Sequence, residues 1–353
     1  MLRLLCIANP ARYASSVTDV PLSYARLAAH PDVELYHAET AAVLAATDRI
    51  EVTQVPLGFL PDEFRTLPSR PTVALPPEHF DLAFDRTLKP FPQGLYDRLG
   101  ALSDRLRFVN DPAGIQRHLD PAFLLRAAAD HLPPMLLTAD PAAAAAFFRA
   151  HRTVVAKRPN SCGGREVFRL SQASEGCIDS DNIVEGRRGW PDFDCLFRHL
   201  TQGRREPLLL ARYLSRVCEG DKRIVVVGGE PYGAYLRRAA DGHWVQNVSR
   251  GGRCELDVVS DADRALVAQT SRPYLAVGVN LLGYDLLRDD EGRWRISEIN
   301  AGNIGGLFRL EYLGVSGVTD RFVAWLERFA AHPRRPQEPL LATQPQTTLE
   351  TPR

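Results

Sequence analysis

The sequence predicts an α/β protein whose C-terminal part becomes α+β, and three observations carry that expectation. Short apolar runs alternate with helical patterns over the first hundred residues, and longer strands joined by glycine turns follow residue 207. Of the 353 residues, 45% are hydrophobic, enough to fill the cores of two to three domains.

Taken in order, residues 2–8, 33–36, 50–55 and 82–84 read as strands of an open sheet. Leu22, Ala25, Leu27 and Ala28 make an apolar helical face between the first two, and the proline-rich stretch 56–77 reads as loop. Residues 107–109 give one more short strand. Asn110-Asp111-Pro112 then starts a helix, with a polar cap followed by a proline whose missing N–H costs nothing in the first turn. Strand 135–138, an alanine-rich helix capped near Asp140, and strand 153–157 lead into a glycine loop. Beyond it, 208–214, 223–227, 232–238, 277–287 and 294–299 read as antiparallel strands. Helices are expected over 261–271 and 318–331, the second with Phe322, Trp325, Leu326 and Phe329 on one face. After His332, repeated Pro, Gln and Thr without periodicity predict a disordered tail. The expected units are 1–109, 110–206, 207–332 and the tail 333–353.

Charge and cysteine usage exclude several classes. Lys plus Arg and Asp plus Glu each number 43, so no global field holds nucleic acid or an acidic membrane. Cys6, Cys162, Cys177, Cys195, Cys218 and Cys254 are scattered without a CxxC pair, which argues against a zinc ribbon or a disulfide framework and for free thiols in a reducing cytoplasm. The first apolar run is too short for a signal peptide before Asn9-Pro10 breaks it, and no later run reaches membrane-spanning length. A soluble, cytoplasmic protein is expected.

Three constellations carry chemistry. In the first, strand 153–157 delivers Lys157 ahead of Ser161-Cys162-Gly163-Gly164-Arg165-Glu166. Paired glycines let backbone N–H groups approach a phosphate, and the lysine adds a point charge; an ordinary hairpin with a surface lysine has the same pattern. In the second, Asp285 on one strand and Glu298 and Asn300 on the next converge if the two pair through a turn near 289–292. Three hard oxygen donors suit Mg²⁺ shared with nucleotide phosphates; a structural salt bridge is the alternative. In the third, Asp221, Arg223, Arg237 and Arg238 lie on successive strands, followed by Asn247 and Gly251-Gly252-Arg253. Alternation aims some of these arginines to one side, where they can hold a phosphoryl group and a carboxylate, although an exposed charged hairpin has the same composition.

In this order the three constellations resemble the ATP-grasp superfamily, most closely the bacterial glutathione synthetases and next the ribosomal-protein glutamate ligases, over most of the chain. The resemblance implies an ATP-grasp fold behind an N-terminal open α/β domain. It places Lys157, Ser161, Cys162, Gly163 and Gly164 over ATP, with Arg212, Tyr213, Leu214 and Asp221 at adenine and ribose. Asn247 joins the nucleotide, Arg223, Arg238 and Lys157 act on the transferring phosphate, and Asp285, Glu298 and Asn300 bind two Mg²⁺, with Mn²⁺ as a substitute. Arg86, within Asp85-Arg86-Thr87-Leu88-Lys89-Pro90-Phe91, together with Arg253, Asn303 and Gly305, would face the substrate.

The implied activity is ATP-dependent amide formation between a small acid and an amine, an amino acid or short peptide, through an acyl phosphate, by a homo-oligomer. Loops 162–165 and 238–252 would exclude water from that intermediate. Two departures stand out. The second ATP lysine of the family is missing, since the matching stretch reads His118-Leu119-Asp120-Pro121-Ala122, leaving Arg117 or Arg126 as substitutes. The loop after Asn300, Ala301-Gly302-Asn303-Ile304-Gly305-Gly306-Leu307-Phe308-Arg309, replaces the Ser/Thr/Pro loop of glutathione synthetases. A glutamate-ligase-type enzyme of a specialised peptide pathway, or an inactive nucleotide-binding regulator, are the competing readings. Segment 181–205, rich in Arg and Asp, has no assignment.

Overall fold

The computed structural model describes residues 1–13, 19–158, 165–174, 177–203, 206–239, 244, 252–332 and 348–351. The first sheet, ordered β4-β3-β2-β1-β5-β6, comprises β1 (Leu2–Ala8), β2 (Val33–Glu39), β3 (Ile50–Gln54), β4 (Val73–Leu75), β5 (Leu82–Asp85) and β6 (Phe108–Val109). β1 runs parallel to β2 and β5 at the centre of the sheet. Covered on both faces, it needs the nearly unbroken apolar run seen in its sequence. Its Leu5 and Ile7 join one core with Leu95 and Leu99, and its Leu4 and Cys6 join another with Tyr24 and Phe322. β4 is a correction to the loop expected over 56–77. Prolines flank this three-residue edge strand, a position where their missing donors cost no central ladder bond.

The second sheet is antiparallel, ordered β11-β10-β9-β8-β12-β7, with β7 (Met135–Thr138), β8 (Thr153–Lys157), β9 (Val167–Ser174), β10 (Cys177–Asn182), β11 (Gly186–Trp190) and β12 (Leu208–Arg212). Helices Pro141–His151 and Phe193–Thr201 supply Phe147, Phe148, Leu196 and Leu200 to its core. Residues 208–212, grouped by the sequence with the strands that follow, instead pair between β7 and β8. The unassigned segment 181–205 contains the end of β10, β11 and the helix Phe193–Thr201.

The third sheet, ordered β15-β14-β13-β16-β17, is built from β13 (Asp221–Val227), β14 (Glu230–Arg238), β15 (Arg253–Asp257), β16 (Leu281–Arg288) and β17 (Trp294–Asn300). Gly228 and Gly229 take φ of 60° and 85° in the β13–β14 turn, a conformation that favours glycine. On one face of β13, Ile224 and Val226 pack with Val267 and Tyr274. On the other, Val225 and Val227 pack with Phe308 and Phe322, and Phe322 also meets Phe84 of the first sheet at 5.9 Å between ring centroids. That second face is therefore core along one half and available for polar groups along the other.

A last strand, β18 (Thr348–Glu350), pairs antiparallel with β7. It corrects the expectation of a disordered tail for 348–351, the rest of 333–353 lying outside the described residues: Thr351 Oγ1 accepts from Met135 N at 2.8 Å, and Thr351 N donates to Met135 O at 3.0 Å. Unpaired backbone groups on the edge of β7 recruit a segment whose own sequence carries no strong strand signal.

Candidate active site

Register assembles the site. Asp221 lies opposite Arg237, Arg223 opposite Asp285, Asp285 opposite Glu298, and Gly283 opposite Asn300. Opposed residues of an antiparallel pair share a face, so these side chains converge on the polar half of the third sheet. Across from them Lys157, the last residue of β8, donates from Nζ to Ser297 O at 3.1 Å. A cavity of about 500 Å³ separates the two sheets. Leu119, Leu124, Met135, Val155, Leu209 and Ile299 form its apolar part, and the charged residues with the segment Ala301–Gly305 form the remainder.

Asp285 is the electrostatic centre. Arg223 donates from Nε and Nη2 to its two oxygens, the second at 2.9 Å. Arg237 Nη2 lies 2.7 Å from Oδ1, and Asn300 Nδ2 donates to Oδ2 at 3.0 Å. Burial alone would raise the Asp285 pKa, but the two guanidiniums outweigh it and hold the carboxyl down at about 2. Asp221 receives Nε and Nη2 of Arg237 at 2.6 and 2.7 Å. There burial outweighs the attraction of Arg237, with Asp285 adding repulsion, and the carboxyl is pushed up to about 6. Glu298 is exposed to the cavity.

The cavity brings together Lys157, Arg212, Tyr213, Leu214, Asp221, Arg223, Asp285, Glu298, Asn300, Asn303 and Gly305 from the sequence-derived set. Arg212 is ion-paired with Asp290, and Gly305 O accepts from Arg223 Nη1 at 3.0 Å. Ser161, Cys162, Gly163, Gly164 and Asn247 lie outside the described residues.

Three expected residues are placed elsewhere. Arg238 points to the opposite face of the sheet, into a groove with Glu219, Glu255 and Arg288, and Arg237 occupies the inward position. Arg253 is the register partner of Arg238, is exposed, and lies on that same outer face. Both corrections follow from alternation along a strand, where a shift of one residue inverts the face. Arg86 is 2% exposed and does not line the cavity. It donates to Ile304 O at 2.8 Å and to Asp19 Oδ2 at 3.3 Å, so it ties the segment after β17 to helix Asp19–Ala29. Its contribution is to place Asn303, whose Nδ2 donates to Arg86 O at 3.0 Å.

Lys89, His118 and Trp244 are lining residues to which sequence reasoning gave no role, and Arg237 takes the inward position that it gave to Arg238. Strand register identifies Arg237, whereas the others arrive through tertiary contacts with no local signature. Arg117 and Arg126 do not line the cavity, and Arg126 lies 3.8 Å from Asp120.

His118 gives a pH prediction. Burial, with the charge of Lys89 beside it, lowers its pKa to about 4 from an ordinary 6.5. The folded protein thus keeps it neutral while the unfolded chain takes up a proton, so its contribution is intact above pH 6.5 and is lost as pH falls toward 4. Urea unfolding at pH 7 and pH 4 is expected to show His118→Leu losing about 3 kcal/mol less than the parent across that interval.

Two antiparallel sheets closing on a charged cavity, behind an open α/β sheet, define an ATP-grasp protein. Residues 123–313, more than half of the chain, match the family model described as the ATP-grasp domain of prokaryotic glutathione synthetase, and the chain belongs to that family. The glutathione synthetase of Mesorhizobium japonicum is 29% identical over 214 residues, 61% of each chain. That of Xanthomonas campestris pv. campestris is 31% identical over 182 residues, 51% of this chain and 52% of its own. That of Prochlorococcus marinus strain MIT 9313 is 25% identical over 329 residues, 92% of this chain and 98% of its own. The chain thus spans about half to three-fifths of the length of the first two of these relatives. Among solved structures, the D-cycloserine synthetase DcsG shares the fold at a TM-score of 0.61 and 16% identity, covering 92% of this chain and 99% of its own. The macrocyclase MdnC from Microcystis aeruginosa, bound with its precursor peptide MdnA, does so at 0.59 and 13%, covering 93% and 100%.

Proposed function

We propose that the protein is an ATP-dependent carboxylate–amine ligase. The observation that carries this reading is the confrontation of Lys157 with Asp285, Glu298, Asn300 and Arg223 across one cavity that is apolar in one part and charged in the other. A carboxylate is a poor electrophile. Its oxygen attacks the γ-phosphorus of ATP, the bond from that phosphorus to the β-bridging oxygen breaks, and ADP leaves an acyl phosphate. The amine nitrogen then attacks the acyl carbon, expelling phosphate and losing its proton. Leu119, Leu124, Met135 and Leu209 offer the base an apolar slot, and Lys157 stands beside the phosphates. Arg223 and Arg237, fixed by Asp285 and Asp221, present cationic edges to the transferring group.

The donor set fits a hard divalent cation: two carboxylates and an amide on adjacent strands, with Glu298 exposed to the cavity. Asp285, Glu298 and Asn300 would hold it, and the ion, when bound, supplies charge neutralisation to the phosphates. Two Mg²⁺, with Mn²⁺ as substitute, belong to this proposal, as do a cytoplasmic location and a homo-oligomer. Among the described residues no helix is long and apolar enough to cross a membrane.

The substrates proposed are a small acid and an amine of the amino-acid or short-peptide class. Glutathione formation from γ-glutamylcysteine and glycine is one member of this class. The segment Ala301–Arg309, without the Ser/Thr/Pro content expected of glutathione synthetases, favours a specialised amino-acid or peptide ligase as the second. ADP release with MgATP, measured with γ-glutamylcysteine plus glycine and with panels of amino acids and dipeptides, decides between them, products being identified by mass spectrometry. ADP together with a product lighter by one water than the sum of its substrates is the expected result. Mg²⁺-dependent ATP binding without turnover on any tested pair would favour a specialised substrate outside the panels over loss of the site, and a regulatory protein would gain only where neither binding nor turnover is found.

A further inference from the structure

Among the described residues, every other lysine or arginine lining the cavity has an acceptor for its charged group. Lys157 meets Ser297 O, Arg158 meets Glu166 and Glu185, Arg212 meets Asp290, Arg223 meets Asp285, and Arg237 meets Asp221 and Asp285. Lys89 differs: among the described residues its ammonium meets only the ring of Phe91, 5.7 Å from the centroid. A ring face satisfies none of the three N–H donors as an oxygen would.

The backbone that carries Lys89 is pinned. Arg12 donates to the carbonyls of Leu88, Lys89 and Pro90 at 3.2, 3.0 and 2.7 Å, and Leu88 N donates to Asn9 Oδ1 at 3.1 Å. The backbone that carries this half-buried lysine is thus held by the turn that follows β1. Its surroundings locate it further. Its charge acts on His118, next to Leu119 of the apolar slot, while the neighbouring Phe91 lies against Gly302, just beyond Asn300. Lys89 thus lines the cavity near His118 and beside Phe91, which packs on the segment that follows Asn300.

We infer that Lys89 is a binding residue for the phosphate chain of the nucleotide, delivered from the N-terminal sheet to a cavity otherwise formed largely by the other two. The inference rests on the ligase reading above. It also answers the missing lysine of the helix following Asn110: Pro121, in the stretch where that lysine was expected, lines the cavity but brings no charge, and Lys89 supplies one from a different element.

The test is calorimetric titration of the intact protein, its Lys89→Gln variant and its Lys89→Arg variant with MgATP and with adenosine, alongside thermal melting. Lys89→Gln is expected to weaken MgATP about tenfold or more, Lys89→Arg to remain within about threefold of the parent, and adenosine to bind all three alike. MgATP affinity unchanged in Lys89→Gln overturns the assignment. So does a rise confined to the KM of the acid substrate, which would place Lys89 on that carboxylate. Failure of the unsubstituted protein to bind MgATP would instead remove the ligase reading itself, so the two failures are distinct.

Discussion

Glu298→Gln is expected to lower Mg²⁺-dependent ATP turnover by about 100-fold or more while leaving the melting temperature nearly unchanged. The carboxylate is exposed to the cavity on β17, and among the described residues it makes no ion pair or hydrogen bond. The amide has the same shape, so the fold loses nothing, and the change falls on the charge presented to a cation. Asp285 is the less clean probe, because its oxygens already accept from Arg223, Arg237 and Asn300, and its removal leaves two buried guanidiniums uncompensated. ADP release and a melting curve on the same preparation check the prediction. Turnover equal to the parent would remove this wall from the chemistry.

The second large effect is a contrast between adjacent arginines. Arg237→Ala breaks ion pairs to Asp221 and Asp285 in a buried setting and is expected to cost about 3 kcal/mol of stability, with loss of ATP turnover. Arg238→Ala, on the outer face, is expected to stay within about 0.5 kcal/mol and to keep its turnover. Urea unfolding and ADP release on both variants read the difference. The reverse order would mean that β14 pairs one residue out of the register described.

These arginines also show where sequence reasoning stops. Strand 2–8, strand 153–157 and the caps at Asp111 and Asp140 were legible because each has a local cause: apolar runs or a carboxylate ahead of a proline. The convergence of Asp285, Glu298 and Asn300 was legible because a single hairpin sets it, and the turn falls where expected, Gly292 N donating to Asp289 O at 2.9 Å. Arg237 against Arg238 is different. Both belong to the same motif, and only pairing with Asp221, some sixteen residues earlier, decides which faces inward. Arg86 and Lys89 are separated by two residues, yet one is sealed against Asp19 and the other opens to the cavity, because the backbone between them is directed by Asn9 and Arg12. Contacts of long sequence separation leave no pattern in a local window.

The strand β18 has a consequence for the behaviour of a shortened chain. It covers the outer edge of β7, whose four residues, Met135 to Thr138, are all buried. Loss of 348–351 would uncover a ladder of unpaired N–H and C=O groups on an apolar strand, the kind of surface that templates strand exchange between molecules. A nicked or truncated preparation would then self-associate edge to edge, and its turbidity on standing would report an exposed β7 rather than a damaged active site.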